Sequence, residues 1–72
     1  MERPWLTKLR QKRSLTQEQL GERLAVSGVA VSLWESGHKN PSGKMMLRLA
    51  KHLGKEVLDL FAAEDDAQAV GA

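Results

Sequence analysis

Apolar side chains recur every three or four residues along almost the whole chain, the period of helices that bury one face. Residues 4–13 read as a first helix, with Pro4 suited to its first turn and Leu6 and Leu9 three apart. Thr16 caps a second helix, and Gln19, three residues on, completes a capping box; Leu20, Gly21, Leu24 and Ala25 form its inward stripe. Ser27 caps a third helix that runs to Ser36 and stops at Gly37. Pro41 disfavours helix at Asn40, so His38–Pro41 is a loop. Ser42 then caps a fourth helix with the stripe Met46, Leu49, Ala50 and Leu53, ended by Gly54. A short fifth helix over Val57–Phe61 supplies Val57, Leu60 and Phe61. Nothing alternates with the two-residue period of a strand. The pattern predicts an all-α, compact five-helix domain over residues 1–61, followed by a short acidic tail, 62–72, expected to fray and stay flexible.

Composition narrows what such a domain can do. The 72 residues allow one small core and one binding surface, with little space for a deep catalytic cleft. The chain has no cysteine, which removes disulfides, thiolate zinc sites and thiol nucleophiles together. No apolar run is long enough to span a bilayer, and MERPWLTKLRQKR lacks the apolar stretch of a secretory signal. The expected location is therefore cytoplasmic, in association with the nucleoid. Charge is unevenly spread: all eleven Lys and Arg lie between Arg3 and Lys55, whereas Glu64, Asp65 and Asp66 occupy the tail. A basic globule with an acidic tail suits an anionic partner, nucleic acid first among them.

The functional motif is QEQLGERLAVSGVAVSLWES, residues 17–36. Two helices of about eight residues are joined by a turn of only three, Ala25-Val26-Ser27, which forces a steep crossing of the helix-turn-helix kind. Such a crossing needs a very small residue where the backbones meet, and Gly21 stands there. It also needs an apolar knot inside the angle, available from Leu20, Leu24, Val26, Val31 and Trp34. The motif and its surroundings, LRQKRSLTQEQL before it and WESGHKNPS, LRLAKHLG and LDLF after it, resemble the phage-repressor, Cro and XRE-type family of helix-turn-helix DNA-binding domains. The resemblance covers residues 6–61. It implies a lambda-repressor-like fold with helices 2 and 3 as the helix-turn-helix. It also implies a small transcriptional regulator, repressor type, bound to double-stranded DNA as a homodimer on a palindromic operator.

The resemblance assigns roles by position. Gln17, at the amino end of the second helix, and Ser27, at that of the third, would contact phosphate, where free N–H groups and the helix dipole favour anions. Lys39 and Asn40 in the following loop, with Gly43 and Lys44 opening the fourth helix, would contact the backbone of the opposite strand, and His38, beside Lys39, reads as a loop residue near phosphate. Arg10 and Glu35 would form a structural pair. The third helix would lie in the major groove. With Val31 and Trp34 inward, its outward face is Val29, Ser32, Leu33 and Ser36, led by Gly28, at about 100° per residue. Gly28, Val29, Ser32 and Leu33 are the expected base readers. They include no long polar side chain, which departs from the Gln, Asn, Arg or Lys usual in such positions. Three readings stay open. Val29 and Leu33 pack on thymine methyls while Ser32 hydrogen-bonds; specificity comes from DNA shape; or the apolar face binds a protein, making the domain an antitoxin-like partner or adaptor. A further departure is at the turns, where Ser14 and Ala25 replace the glycine or asparagine common in the family and would carry a cost if left-handed.

Other signals do not support chemistry. The segment 37–45 superficially resembles a phosphate loop but fails in spacing, ends in Met45 where a hydroxyl is needed, and follows a helix. His38 and His52 are fourteen apart, and Gly54 is expected to break the helix between His52 and Glu56, so no metal is predicted. Ser32, Glu35 and His38 do not form a triad. The expectation is no enzyme, no cofactor, no membrane and no small-molecule ligand. Trp5 is expected to pack under Phe61, the alternative being exposure at a dimer contact together with helix 5 and the tail.

Overall fold

A computed structural model of the chain describes the backbone of residues 1–71 and the side chains of residues 1–64. Five helices follow in order: α1 (Pro4–Lys12), α2 (Gln17–Leu24), α3 (Gly28–Ser36), α4 (Gly43–Leu53) and α5 (Glu56–Gly71). No strand occurs among the described residues, and no helix of these residues is long and apolar enough to cross a membrane.

The helix starts follow the caps. The Thr16 hydroxyl accepts from the Gln19 N–H at 3.1 Å, and the Gln19 side chain accepts from the Thr16 N–H at 2.9 Å. Ser27 accepts from the Ala30 N–H at 3.2 Å and Ser42 from the Met45 N–H at 3.1 Å. Each satisfies an amide that has no partner inside its helix. Gly37 ends α3 in the left-handed region at φ 81°, where glycine has no Cβ penalty. Its bare Cα also admits the amino terminus, since a Cβ there would lie 1.5 Å from the Met1 carbonyl oxygen.

Leu6, Leu20, Leu24, Val31, Leu49, Leu53 and Val57 are fully buried, with Leu15, Trp34 and Phe61 completing the core. Burying each aliphatic side chain contributes about 1.5–3 kcal/mol. Leu9, Val26, Met46 and Ala50 are half-buried against this cluster. Trp5 packs edge-on against Phe61, with centroids 4.9 Å apart and planes at 85°, and donates its indole N–H to Glu64 at 3.2 Å.

Two expectations need correction. Ala25 is not part of the buried stripe of α2; it is exposed and caps the helix at φ 60°. The helical period puts it on the inward side only if the helix continues, and the chain turns there instead. Ser14 is likewise left-handed, at φ 57°. The fifth helix does not end at Phe61 but runs to Gly71. Alanines at 62, 63, 67 and 69 sustain helix without an apolar stripe, and Glu64 is held by Arg3 and Trp5. The side chains of the tail from Asp65 onward, and all of Ala72, lie outside the described residues.

Candidate nucleic-acid interface

The relation of α2 to α3 is set at Gly21. A Cβ there would lie 2.6 Å from the Val26 carbonyl oxygen and 2.9 Å from the Ser27 carbonyl carbon, so only glycine lets the turn close this tightly. The Val26 N–H donates to the Gly21 carbonyl at 2.8 Å across the same contact. Leu20, Leu24, Val31 and Trp34 fill the inside of the angle.

With Val31 and Trp34 buried, α3 presents its other face outward. Val29 is 68% exposed, while Ser32 and Leu33 are half-buried beside it. Gly28 is half-buried against α2, since a Cβ there would approach the Glu18 Cγ to 3.0 Å. Its smallness therefore serves the approach of the two helices and leaves no side chain to read a base. A shallow groove is lined by Gln17, Glu18, Ser27, Gly28, Val29 and Ser32. Glu18 did not stand out in the sequence; its signal was its place in the first turn of α2, one residue after Gln17.

Beneath this surface lies a buried polar centre. Glu35 Oε2 accepts from Arg10 Nε at 2.6 Å, and Glu35 Oε1 accepts from Arg10 Nη2 at 3.2 Å, Thr7 Oγ1 at 2.7 Å and Gln17 Nε2 at 3.2 Å. Arg10 Nη1 donates to the Leu15 carbonyl at 2.7 Å. Burial pushes the Glu35 carboxyl upward, but the hydrogen bonds from Arg10, Thr7 and Gln17 and the Arg10 charge outweigh it and hold the group below the usual carboxylate range. The Gln17 amide, expected to face phosphate, thus gives one of its two hydrogens inward to Glu35.

The loop after α3 is exposed at His38, Lys39 and Asn40. The Ser36 hydroxyl donates to the Leu33 carbonyl at 3.1 Å. The same hydroxyl is in hydrogen-bond contact with His38 Nδ1, 2.7 Å away. Gly43 and Lys44 are exposed at the start of α4, with nothing within 4 Å of a Cβ position at Gly43. The loop and the amino ends of α2, α3 and α4 thus combine free donors and cations with an apolar α3 face, an arrangement suited to phosphates flanking a groove.

Sequence reasoning missed Arg3. Its side chain is buried and donates from Nη1 to the Trp34 carbonyl at 2.6 Å and the Lys39 carbonyl at 3.3 Å, and from Nη2 to Asn40 Oδ1. Its Nε pairs with Glu64 at 3.0 Å. No spacing in the sequence announces these partners, which lie between 31 and 61 residues away.

Helix-turn-helix family sequences match the chain over residues 6–60. It is 40% identical over 53 residues to an uncharacterised HTH-type transcriptional regulator of Methanocaldococcus jannaschii, covering 74% of this chain and 80% of that protein. It is 36% identical over 58 residues to an uncharacterised HTH-type transcriptional regulator of Methanothermobacter thermautotrophicus, covering 79% and 84%. It is also 38% identical over 60 residues to the HTH-type transcriptional activator BcrR of Enterococcus faecalis, covering 83% of this chain but only 29% of BcrR. No solved structure is a significant match to the chain. The all-α fold, the glycine at the α2–α3 contact and these relationships agree: the chain belongs to the XRE-type helix-turn-helix family of DNA-binding transcriptional regulators, a family of regulators and not of enzymes.

Proposed function

We propose that residues 1–61 bind double-stranded DNA with sequence preference and act as a small repressor, occupying an operator as a homodimer in the cytoplasm, at the nucleoid. The observation that carries the reading is the outward face of α3, where Val29 is 68% exposed next to Ser32 and Leu33. In the major groove this face meets base edges: Val29 and Leu33 pack on thymine methyls and the Ser32 hydroxyl hydrogen-bonds a neighbouring base, giving A·T-weighted preference. Gly28 brings the start of α3 close to the bases. Gln17, Ser27, His38, Lys39, Asn40, Gly43 and Lys44 contact phosphates on either side and fix register.

A domain with so few base contacts binds weakly alone, and a two-fold pair reading half-sites about one helical turn apart supplies the missing affinity. Occupancy of a palindromic operator then represses by exclusion. Activation, the role named for BcrR, belongs to a protein of which this chain spans 29%. Two variants test the docking face. Leu33→Ala alters which sequences are preferred and leaves the salt dependence of binding nearly intact. Lys39→Ala weakens all sequences and flattens the slope of log K against log salt by about one. If neither change touches DNA binding, the assigned face is wrong and the apolar α3 surface is a protein contact.

A further inference from the structure

The Arg3 guanidinium ties together three parts of the molecule. It holds the end of α3 through the Trp34 carbonyl and the α3–α4 loop through the Lys39 carbonyl and Asn40 Oδ1. It holds α5 through Glu64. Its carbon centre lies 5.1 Å from the centroid of the Phe61 ring, and its own backbone N–H donates to the Glu35 carbonyl at 2.7 Å. The residue is only 5% exposed, so this cation is spent inside the protein.

We propose that Arg3 is a positioning residue for DNA binding: from inside the fold it presets the α3–α4 loop so that Lys39 and Asn40 present their donors outward. The proposal rests on the docking reading above and adds a residue that contacts no DNA. The chemistry is directional. Because Asn40 Oδ1 accepts from Arg3, the Asn40 Nδ2 group is turned away from it, and Asn40 is an exposed residue. Because the Lys39 carbonyl is held inward, the Lys39 side chain leaves the loop toward solvent. Glu64 offsets the buried charge and fixes Nε, which leaves the two terminal nitrogens aimed at the loop and the end of α3. A planar fork with five donors can meet these acceptors at once, and a lysine ammonium cannot.

The test uses the full chain and a mixed-sequence duplex of about two helical turns, titrated across salt concentrations. Lys39→Ala reports the loop contact itself and should lower the salt slope by about one. Arg3→Lys and Arg3→Gln should lower it by a similar amount although Lys39 is intact, and Arg3→Lys combined with Lys39→Ala should lower it no further than Lys39→Ala alone. In the free protein, backbone order parameters of residues 37–42 should fall from the rigid range near 0.85 towards 0.6 in both Arg3 variants, while those of α2 and α3 hold. Arg3→Lys keeps the charge opposite Glu64 and carries the test if Arg3→Gln fails to fold. A purely structural Arg3 lowers thermal stability and leaves slope and loop order unchanged; that result, with Lys39→Ala still active on the slope, overturns the proposal. If Lys39→Ala itself leaves the slope unchanged, the docking reading fails and this proposal falls with it, even where loop order responds to Arg3.

Discussion

Replacing Glu35 with glutamine removes one charge and almost no volume, which isolates the electrostatics of the buried centre. The wild-type carboxylate accepts four hydrogen bonds, two from Arg10 and one each from Thr7 and Gln17. Glutamine offers one acceptor oxygen and, on the other side, a donor that faces donors. Arg10, itself 9% exposed, keeps its bond to the Leu15 carbonyl and one to the glutamine oxygen, but loses its second bond to residue 35 and its counter-charge. Orphaning one partner of a buried pair costs about 3–5 kcal/mol, against a total stability of about 4–11 kcal/mol for a domain of this size. Glu35→Gln should therefore lose a large part of the stability at neutral pH, a fall in Tm on the order of 20 °C.

The pH dependence gives a second readout of the same variant. The folded carboxyl is held below its unfolded value, so its contribution is complete above the unfolded pKa of about 4.3 and disappears as pH falls through the folded value. The stability gap between wild type and Glu35→Gln should therefore narrow on acidification below about pH 4. Adding Arg10→Met to Glu35→Gln removes the orphaned charge and should recover much of the loss. Urea denaturation at a series of pH values measures all three quantities. A neutral-pH loss below about 1 kcal/mol, or a gap that stays constant with pH, would refute the argument.

Three further outcomes follow from backbone geometry and the core. Gly21→Ala should cost about 1–3 kcal/mol, because the new methyl meets main-chain atoms of the turn at 2.6 Å; an unchanged urea midpoint would mean the turn yields freely. Ala25→Gly and Ser14→Gly relieve left-handed residues at φ 60° and 57° and should each stabilise by about 0.5–1 kcal/mol, additively in the double variant; thermal melts showing a loss would contradict the strain argument. Trp5→Phe keeps ring packing on Phe61 and removes the N–H to Glu64, so it should cost about 0.5–1.5 kcal/mol by chemical denaturation, and no cost would mean that bond contributes nothing.

What was legible in the sequence were features set by near neighbours. Thr16, Ser27 and Ser42 cap as their spacing requires, Gly21 stands where the backbones meet, and the outward face of α3 follows once Val31 and Trp34 are placed inward. The pairing of Arg10 with Glu35 came from the family resemblance, since nothing local links residues 25 apart. Ala25 was misplaced because a period persists on paper where the chain leaves the helix. The length of α5 was missed because alanines carry helix propensity without an apolar stripe. Arg3 was invisible for a different reason. A side chain just outside a helix has no periodicity to reveal it, and its acceptors are carbonyls and side chains brought together only by the finished fold.

On the reading proposed above, the apolar face of α3 reads DNA. Selection of bound duplexes from a random-sequence pool at about 0.15 M salt tests it most directly, because charge attraction at the surface is largely screened there. Enrichment of a palindrome whose A·T-rich half-sites lie about one helical turn apart is expected, with the preference altered by Leu33→Ala. Absence of enrichment, or binding that vanishes at that salt, would contradict it and assign Val29 and Leu33 to a protein partner.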